Sequence, residues 1–421
     1  MRDPGYDKPQ NDGPPAPAPN NTPDQERTLE GEHILALLAS SHLFGSERAN
    51  IEAMRALREQ GAQVTFLTHG TFGADHIEPY LEASGFNWHR AAFGYLWTRH
   101  MLGKHFKYFI RNLYGVVATS LTLRRLIPAL GITALHIPNL QNFSYVAPIA
   151  RWLGMPIVMR AGDELPAHTP IHRWLVRRAV WSATLFVAVS NYIRDTLIEN
   201  GVPPENVQVI YNHPPQRNLP AGSHTCDEAA QVEDSTWMLS FIGQLSPAKG
   251  AIEAIEAVSL LKEAGYRVTL KIAGSAEWGS TYGQNLSQIV QDLDLAREVE
   301  FLGFIENVPG LLAASHLHLC PSTWNDPHPN VIPEAKKSGT PSIVFPRGGM
   351  PELIHHRVDG SVCGNATSYA LFTEISWWLG QPEVLKAACI AARRDYEARF
   401  NYERFMTQWH GIYAHIRNTH T

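Results

Sequence analysis

Seven residues separate Asp326 from Glu334 in the segment 321–352, PSTWNDPHPNVIPEAKKSGTPSIVFPRGGMPE. A Pro-rich loop follows the apolar run LHLCPS, and the pattern predicts a short helix that opens near Asn330 or Val331 and stops at Gly339 and Pro341. Backbone amides at such a start offer hydrogen bonds to anionic or hydroxyl oxygens. An ionised carboxylate accepts two hydrogen bonds at once, so Asp326 in the loop and Glu334 one turn into the helix suit recognition of sugar hydroxyls and a ribose diol. An isolated pair of this kind would read instead as a loop cap and a solvated helix position.

Other chemistries find no matching spacing. The chain has 20 histidines, including His355 and His356, but no H-E-x-x-H or comparable ligand pattern, so no metal site is predicted. Cys226, Cys320, Cys363 and Cys389 lie far apart without a C-x-x-C pair, which argues against a zinc knuckle and a disulfide framework and predicts incidental thiols. Neither a Walker loop nor a G-x-G-x-x-G after a strand is present, so nucleotide hydrolysis and dinucleotide binding lose ground.

The elements that must position the pair read as alternating strands and helices. HILALLAS, SERANIEAMRALREQG and QVTFLTHG give β, α, β, and the rhythm returns in PIVMRAG, IHRWLVRRAVWS, TLFVAVS, NYIRDTLIENG and VQVIYN. After a stretch rich in Pro, Gly, Ser and acids it restarts with WMLSFIGQL, RVTLKIAG, VEFLGFI and LHLCPS. Such alternation implies parallel sheets covered on both faces, and two doubly wound domains facing each other would place a cleft between the carboxyl ends of both sheets.

With 421 residues, 44% apolar and 18% charged, two domains are expected. The predicted organisation is a disordered Pro-rich tail at 1–30, an N-terminal Rossmann-like domain at 31–212, a linker at 213–235, a C-terminal Rossmann-like domain at 236–397, and a C-terminal helix at 398–421 able to pack back on the N-terminal domain. No apolar run reaches the length of a spanning helix and the first thirty residues hold no leader-like core, which gives a cytoplasmic expectation.

The arrangement around Asp326 and Glu334, with Pro-Asn-Val inside the spacing and Glu-Ala-x-x-x-Gly-x-Pro after it, resembles the E-x7-E signature of the retaining GT-B glycosyltransferases of glycosyltransferase family four, the glycosyl transferases group 1. Nearly all of 31–416 shares the resemblance. Gly45-Ser46-Glu47-Arg48 is similar to the family's loop opening the first helix, and Val189-Ser190 and Val209-Ile210-Tyr211-Asn212 match its strand ends. Phe241 to Gly250 resembles the G-R-L-x-x-x-K-G motif, Ile272-Ala273-Gly274 the I-x-G strand, and Gly348 to Glu352 the G-G-x-P-E loop.

The resemblance implies a GT-B fold of class α/β and a hexosyltransferase-like, retaining, metal-independent transfer from a nucleoside diphosphate sugar to a saccharide or lipid-linked acceptor, in polysaccharide or glycoconjugate biosynthesis. The donor is a co-substrate, and no further cofactor is implied. Lys249 would contact the donor diphosphate, where a fixed ammonium stabilises the charge gained by the leaving group. Glu334 would hold the ribose hydroxyls, and Asp326 the donor sugar with the amides near Asn330 and Val331. Gly243, Gln244, Gly274 and Phe304 would complete the donor side; Gly45, Ser46, Arg48 and Arg160 would line the acceptor side, with Asp163 as an acceptor contact. No protein nucleophile is implied, because the leaving phosphate can itself accept the acceptor's proton. Three positions depart from the pattern. Asp326 is one methylene shorter than the family's glutamate, Gln244 replaces an arginine and removes a bidentate phosphate contact, and the 160–164 segment lacks a histidine common in relatives. The last two departures keep open an alternative, a sugar-nucleotide-binding partner subunit with impaired catalysis.

Charge adds a partner expectation. Between Glu82 and Asp163 there is no acidic residue, while nine Lys and Arg fall there, and Gly85 to Arg125 interleaves its cations with Phe86, Trp88, Phe93, Tyr95, Trp97, Phe106, Tyr108, Phe109 and Tyr114. Such a segment suits an anionic membrane surface, which would make the chain peripheral on the inner face of the membrane; it reads equally as an ordinary insertion with its aromatics in the core and its cations solvated. No nucleic-acid module accompanies it, so nucleic acid is not an expected partner.

Overall fold

The structure, a computed structural model, describes residues 28–38, 45–69, 77–91, 106–138, 146–164, 174, 177, 178, 180–214, 236–276 and 280–420. The predicted tail up to residue 27, the 215–235 part of the linker and, from the basic aromatic stretch, Phe93, Tyr95, Trp97, Arg99 and Lys104 lie outside them, as do the side chains of Phe106, Lys107, Tyr108, Phe109 and Arg111.

The N-terminal domain runs β1 (His33–Leu37), α1 (Gly45–Glu59), β2 (Gln63–His69), α2 (Ile77–Ala83), β3 (Asn87–Ala91), α3 (Phe106–Leu130), β4 (Ala134–Ile137), α4 (Val146–Trp152), β5 (Ile157–Ala161), β6 (Leu185–Ala188), α5 (Asn191–Glu199) and β7 (Val207–Val209). Its strands form one parallel sheet in the order β3-β2-β1-β4-β5-β6-β7. The C-terminal part runs β8 (Trp237–Ile242), α6 (Ala251–Glu263), β9 (Val268–Ala273), α7 (Tyr282–Asp292), β10 (Val299–Gly303), α8 (Val308–Ala313), β11 (Leu317–Cys320), α9 (Val331–Lys337), β12 (Ser342–Val344), β13 (Gly360–Val362), α10 (Ser368–Leu379), α11 (Pro382–Arg399) and α12 (Tyr402–His420). Its sheet is also parallel, in the order β10-β9-β8-β11-β12-β13. Both orders reverse beside the first strand, between β1 and β4 and between β8 and β11. At such a switch the following connections leave to opposite faces and open a crevice at the strand carboxyl ends.

Strands β4, β5 and β6 are buried along their whole length, as runs that are apolar except for His136 and Arg160 require when helices cover both faces. On one face Leu35, Leu135 and Phe186 pack with Leu123 of α3, Val146 and Ala150 of α4 and Ile193 of α5. On the other, Ile34 and Phe66 pack with Ile51 and Met54 of α1 and with Phe405, Trp409, Ile412, Tyr413 and Ile416 of α12. The C-terminal helix thus completes the core of the N-terminal sheet. His136 of β4 is sealed beneath it, with Nδ1 3.0 Å from the Tyr413 hydroxyl and Nε2 3.2 Å from Asn50 Oδ1. The spacing argument against disulfides fails at one position: Cys320 and Cys363 are free and buried, but Cys389 is disulfide-bonded. Sequence distance between cysteines says nothing of their separation once the chain has folded back.

Candidate functional site

A cavity of about 520 Å³ opens where the two sheets point their carboxyl ends at each other. Gly45, Ser46, Arg160, Gly162, Asp163 and Asn212 form its N-terminal wall, and Gly243, Gln244, Lys249, Trp324, Asp326, His328, Asn330 and Val331 its C-terminal wall.

Lys249 ends a single 3-10 turn, Pro247–Lys249, that follows β8. Gly250 closes the turn at φ +78°, and a Cβ there would stand 1.8 Å from the Pro321 carbonyl oxygen, so only glycine lets the turn lie against the loop after β11. Two bonds hold the contact: the Thr323 amide donates to the Ala248 carbonyl at 3.0 Å, and Thr323 Oγ1 to the Pro247 carbonyl at 3.1 Å. Lys249 Nζ consequently reaches Asp326 and donates to Oδ2 at 2.6 Å. Asp326 Oδ1 accepts the His328 amide at 3.3 Å, and the Asp326 carbonyl accepts the Gly349 amide at 2.9 Å. The adjacent Gly348, at φ +55°, has no room for a Cβ beside that carbonyl. Motifs 77 residues apart thus meet as one nearly buried carboxylate under one partly exposed ammonium.

Arg160 leaves the end of β5 at 3% exposure and donates from Nη2 to Asn212 Oδ1 at 2.5 Å. Asn212 Nδ2 donates to Asn330 Oδ1 at 2.8 Å, and Asn330 Nδ2 to the Gly45 carbonyl at 3.2 Å, so a bonded path crosses the cleft floor between the domains. Burial lowers the Arg160 pKa to about 10, opposed by Asp163 and then Glu47. Burial likewise raises Asp163 above the ordinary carboxylate value, with Arg160 opposing and Asp326 across the cleft adding to the rise. Glu47 is also raised by burial, against the 2.7 Å bond it accepts from Ser46 Oγ.

His328 and Trp324 were not singled out from sequence, and Asn212 was marked only as the end of the Val209–Asn212 motif, with no role at the site. The His328 ring sits 5.6 Å from Tyr211 and 6.2 Å from Phe400, centroid to centroid. Neither of its nitrogens makes a hydrogen bond of good geometry, although the Asn330 side chain lies near, and burial lowers its pKa to about 3. It therefore presents a neutral imidazole to the cleft. Trp324 stands at the rim with its ring 6.0 Å from Lys249 Nζ.

Four of the residues expected at the site do not line the cavity. Gly274 lies behind Gly243, its amide bonded to the Gly303 carbonyl at 2.8 Å; Phe304 is exposed beyond β10; Glu334 is half-buried one turn into α9; and Arg48 is half-buried on α1.

The glutamate of the G-G-x-P-E loop has a different task. Glu352 Oε2 accepts the Asn191 amide at 2.8 Å, Asn191 Nδ2 at 2.8 Å and the Tyr211 hydroxyl at 3.0 Å, while Oε1 accepts the Tyr192 amide at 3.1 Å. The Ile193 amide is taken by Ser190 Oγ at 3.3 Å. Three of the orphan amides that open α5 are thus satisfied, two of them by a carboxylate from the other domain placed at the positive end of the helix. Burial first, and the Glu352 charge second, hold the Tyr211 phenol well above its ordinary pKa.

Among the described residues one group has metal-ligand spacing, His355, Asp359 and Asp395, whose ligand atoms lie within 4.8 Å of one another. Lys336 Nζ, fully buried, donates to Asp359 Oδ2 at 2.6 Å and Asp395 Oδ2 at 2.7 Å, and Arg399 Nη2 donates to Asp395 Oδ2 at 2.6 Å, so two cations already balance the two carboxylates. The group reads as an ion-pair network that ties α9 to α11.

Comparison with known proteins places both halves. Residues 44–213 match the family described as glycosyl transferase 4-like domain, and residues 227–395 match glycosyl transferases group 1. YtcC of Bacillus subtilis, named as a glycosyltransferase, is 26% identical over 56% of this chain and 61% of its own length. The amylovoran biosynthesis glycosyltransferase AmsK of Erwinia amylovora is 32% identical over 38% of this chain and 40% of its own. The matched stretch thus spans less than two thirds of either relative. Among solved structures, Anabaena HepE in complex with UDP-glucose superposes with a TM-score of 0.71 at 24% identity, covering 91% of this chain and 99% of that one. The fold is the two-sheet GT-B arrangement that the sequence led us to expect.

Proposed function

We propose, for a chain that belongs to the glycosyl transferases group 1, that it moves a sugar from a nucleoside diphosphate sugar to a saccharide or lipid-linked acceptor with retention at the anomeric carbon. The observation that carries the proposal is the Lys249–Asp326 pair in the cleft between the two carboxyl ends, at 2.6 Å. A diphosphate entering beside Lys249 draws the ammonium from Asp326, and the freed carboxylate then accepts hydroxyls of the donor sugar. As the glycosidic bond breaks, charge collects on the leaving oxygen next to that ammonium, a site already shaped for it. Lys249 supplies this charge without a metal ion, so transfer is expected to survive EDTA.

On the opposite wall Asp163, Arg160 and Ser46 face the space in which an acceptor would lie. Burial raises the pKa of Asp163, and a carboxylate so placed accepts a hydrogen bond from an acceptor hydroxyl more readily than it would in water. His328 and Trp324 offer a neutral imidazole and an aromatic wall to the donor sugar or base. The ribose role of Glu334 rests on the motif alone, since the side chain lies beyond the cavity wall.

The test is calorimetric titration of a panel of nucleoside diphosphate sugars into the parent and into Lys249→Ala. A saturable site in the parent, weakened in Lys249→Ala, is the expected result. If no member of the panel binds, the cleft does not hold a nucleoside diphosphate sugar.

A further inference from the structure

We infer that the outer layer formed by α3, α4 and the helical residues of 174–182 docks on an anionic lipid surface. Every exposed large hydrophobic residue of the N-terminal domain, among the described residues, lies on this layer. Trp152 is 72% exposed, Trp174 59% and Trp181 61%, while Tyr114, Val117 and Leu121, spaced along one side of α3, are each more than half exposed.

Each tryptophan carries a cation. The Arg151 guanidinium lies 4.1 Å from the Trp181 ring centroid, Arg124 5.4 Å from Trp152, and Arg178 5.6 Å from Trp174 and 6.0 Å from Trp181. Arg151 Nη1 also donates to the Trp181 carbonyl at 2.9 Å, which joins α4 to the neighbouring segment. Arg125 and Arg177 add exposed charge beside them. The sequence of these helices contains no aspartate or glutamate from 83 to 162 or from 165 to 194. The adjoining hollow of about 820 Å³, lined by Arg151, Arg177 and Trp181, admits one acid, Glu199.

Exposed indole rings with guanidinium groups held against them fit the boundary where headgroup phosphates overlie acyl chains, because indole prefers that depth and arginine reaches the phosphates from it. A soluble acidic partner would complement the charge but leave three tryptophans wet. The layer covers a sheet face, not the strand ends, so docking leaves the cleft open. This surface stands apart from the sugar chemistry and does not rest on it. It shares Tyr114 with the expected Phe86 to Tyr114 contact but is centred elsewhere, on Trp152, Trp174 and Trp181.

The test uses the full chain with sucrose-loaded vesicles of phosphatidylcholine, with and without phosphatidylglycerol. Sedimentation with the anionic vesicles at low salt, release at high salt, and quenching of tryptophan fluorescence by brominated acyl chains are expected. The triple variant Arg124→Gln, Arg151→Gln, Arg178→Gln should lower partitioning about a hundredfold. The triple variant Trp152→Ala, Trp174→Ala, Trp181→Ala should lose the quenching while keeping the parent's circular dichroism. The inference is overturned if the parent stays in the supernatant with anionic vesicles at low salt, or if either variant partitions and quenches as the parent does. It is equally overturned if a soluble polyanion binds in place of vesicles and no bromolipid quenching occurs, which would assign the surface to an acidic macromolecule.

Discussion

Glu352→Ala removes the carboxylate that opens α5 from across the domain boundary, and its cost can be worked from the contacts. Four hydrogen bonds of 2.8 to 3.1 Å end on that carboxylate, two from backbone amides of Asn191 and Tyr192 and two from the side chains of Asn191 and Tyr211. Bonds to a charged acceptor contribute about 1.5 to 3 kcal/mol each, and water can enter beside a half-buried group to replace some of them. The helix-end charge interaction adds about 0.3 to 1 kcal/mol. Discounting the side-chain bonds, which can turn to solvent, and taking the low end for each amide because water can reach it, leaves about 3 to 4 kcal/mol for the two amides and the helix end. Hydrogen exchange followed by mass spectrometry on peptides covering Asn191 to Ile193 reads this locally, and exchange there should accelerate about a hundredfold or more. Glu352→Gln keeps one acceptor oxygen and should show a smaller acceleration. If exchange at α5 in Glu352→Ala stays within threefold of the parent, the contact does not hold the domains together.

Other outcomes follow from the same structure. Lys249→Ala should slow transfer by about 2 to 4 kcal/mol in barrier, whereas Glu334→Ala should raise the donor Kd more than it lowers kcat; steady-state kinetics of both variants decide this. Burial holds His136 and His328 at pKa values of about 3 and His318 at about 4, all below the unfolded value near 6.5. The stability they contribute is complete above pH 6.5 and is lost as pH falls toward those values, by about 2 kcal/mol per histidine at pH 5. Urea unfolding should therefore weaken steeply between pH 7 and pH 5, and a flat profile would contradict the buried neutral rings. Trp409→Ala, truncating a fully buried ring where α12 packs on the N-terminal sheet, should cost about 3 to 5 kcal/mol in urea unfolding of the N-terminal domain.

The strands IVMRA and LFVA were legible because parallel sheets covered on both faces need largely apolar runs, whereas ALHI of β4, four residues interrupted by His136, was not read as a strand. The cleft was legible from the same alternation, since a doubly wound sheet opens at its carboxyl ends. Lys249 and Asp326 could be singled out through the resemblance, but not as a pair, because their contact depends on Gly250 seating the 247–249 turn on the Pro321 carbonyl. Glu352 illustrates a further limit. The G-G-x-P-E pattern marks the loop, yet the carboxylate's partners, Asn191, Tyr192 and Tyr211, belong to the other domain and share no pattern with it. His328 lay inside the recognised spacing and went unread because a single histidine between prolines has no periodicity from which burial could be inferred. Cys389 was misjudged for a related reason, as the partner of a thiol is set by tertiary folding.

The most direct test of the central claim is proton NMR of donor turnover. The parent, in EDTA, is incubated with whichever nucleoside diphosphate α-sugar binds in the calorimetric panel, and the anomeric signal is followed from the first minutes. Transfer, or slow hydrolysis without acceptor, should release the nucleoside diphosphate and give the α-anomer first, at a rate at least thirtyfold lower in Lys249→Ala, corresponding to about 2 kcal/mol. A β-anomer as first product would contradict retention, and an unchanged rate in Lys249→Ala would remove the Lys249–Asp326 pair from the reaction.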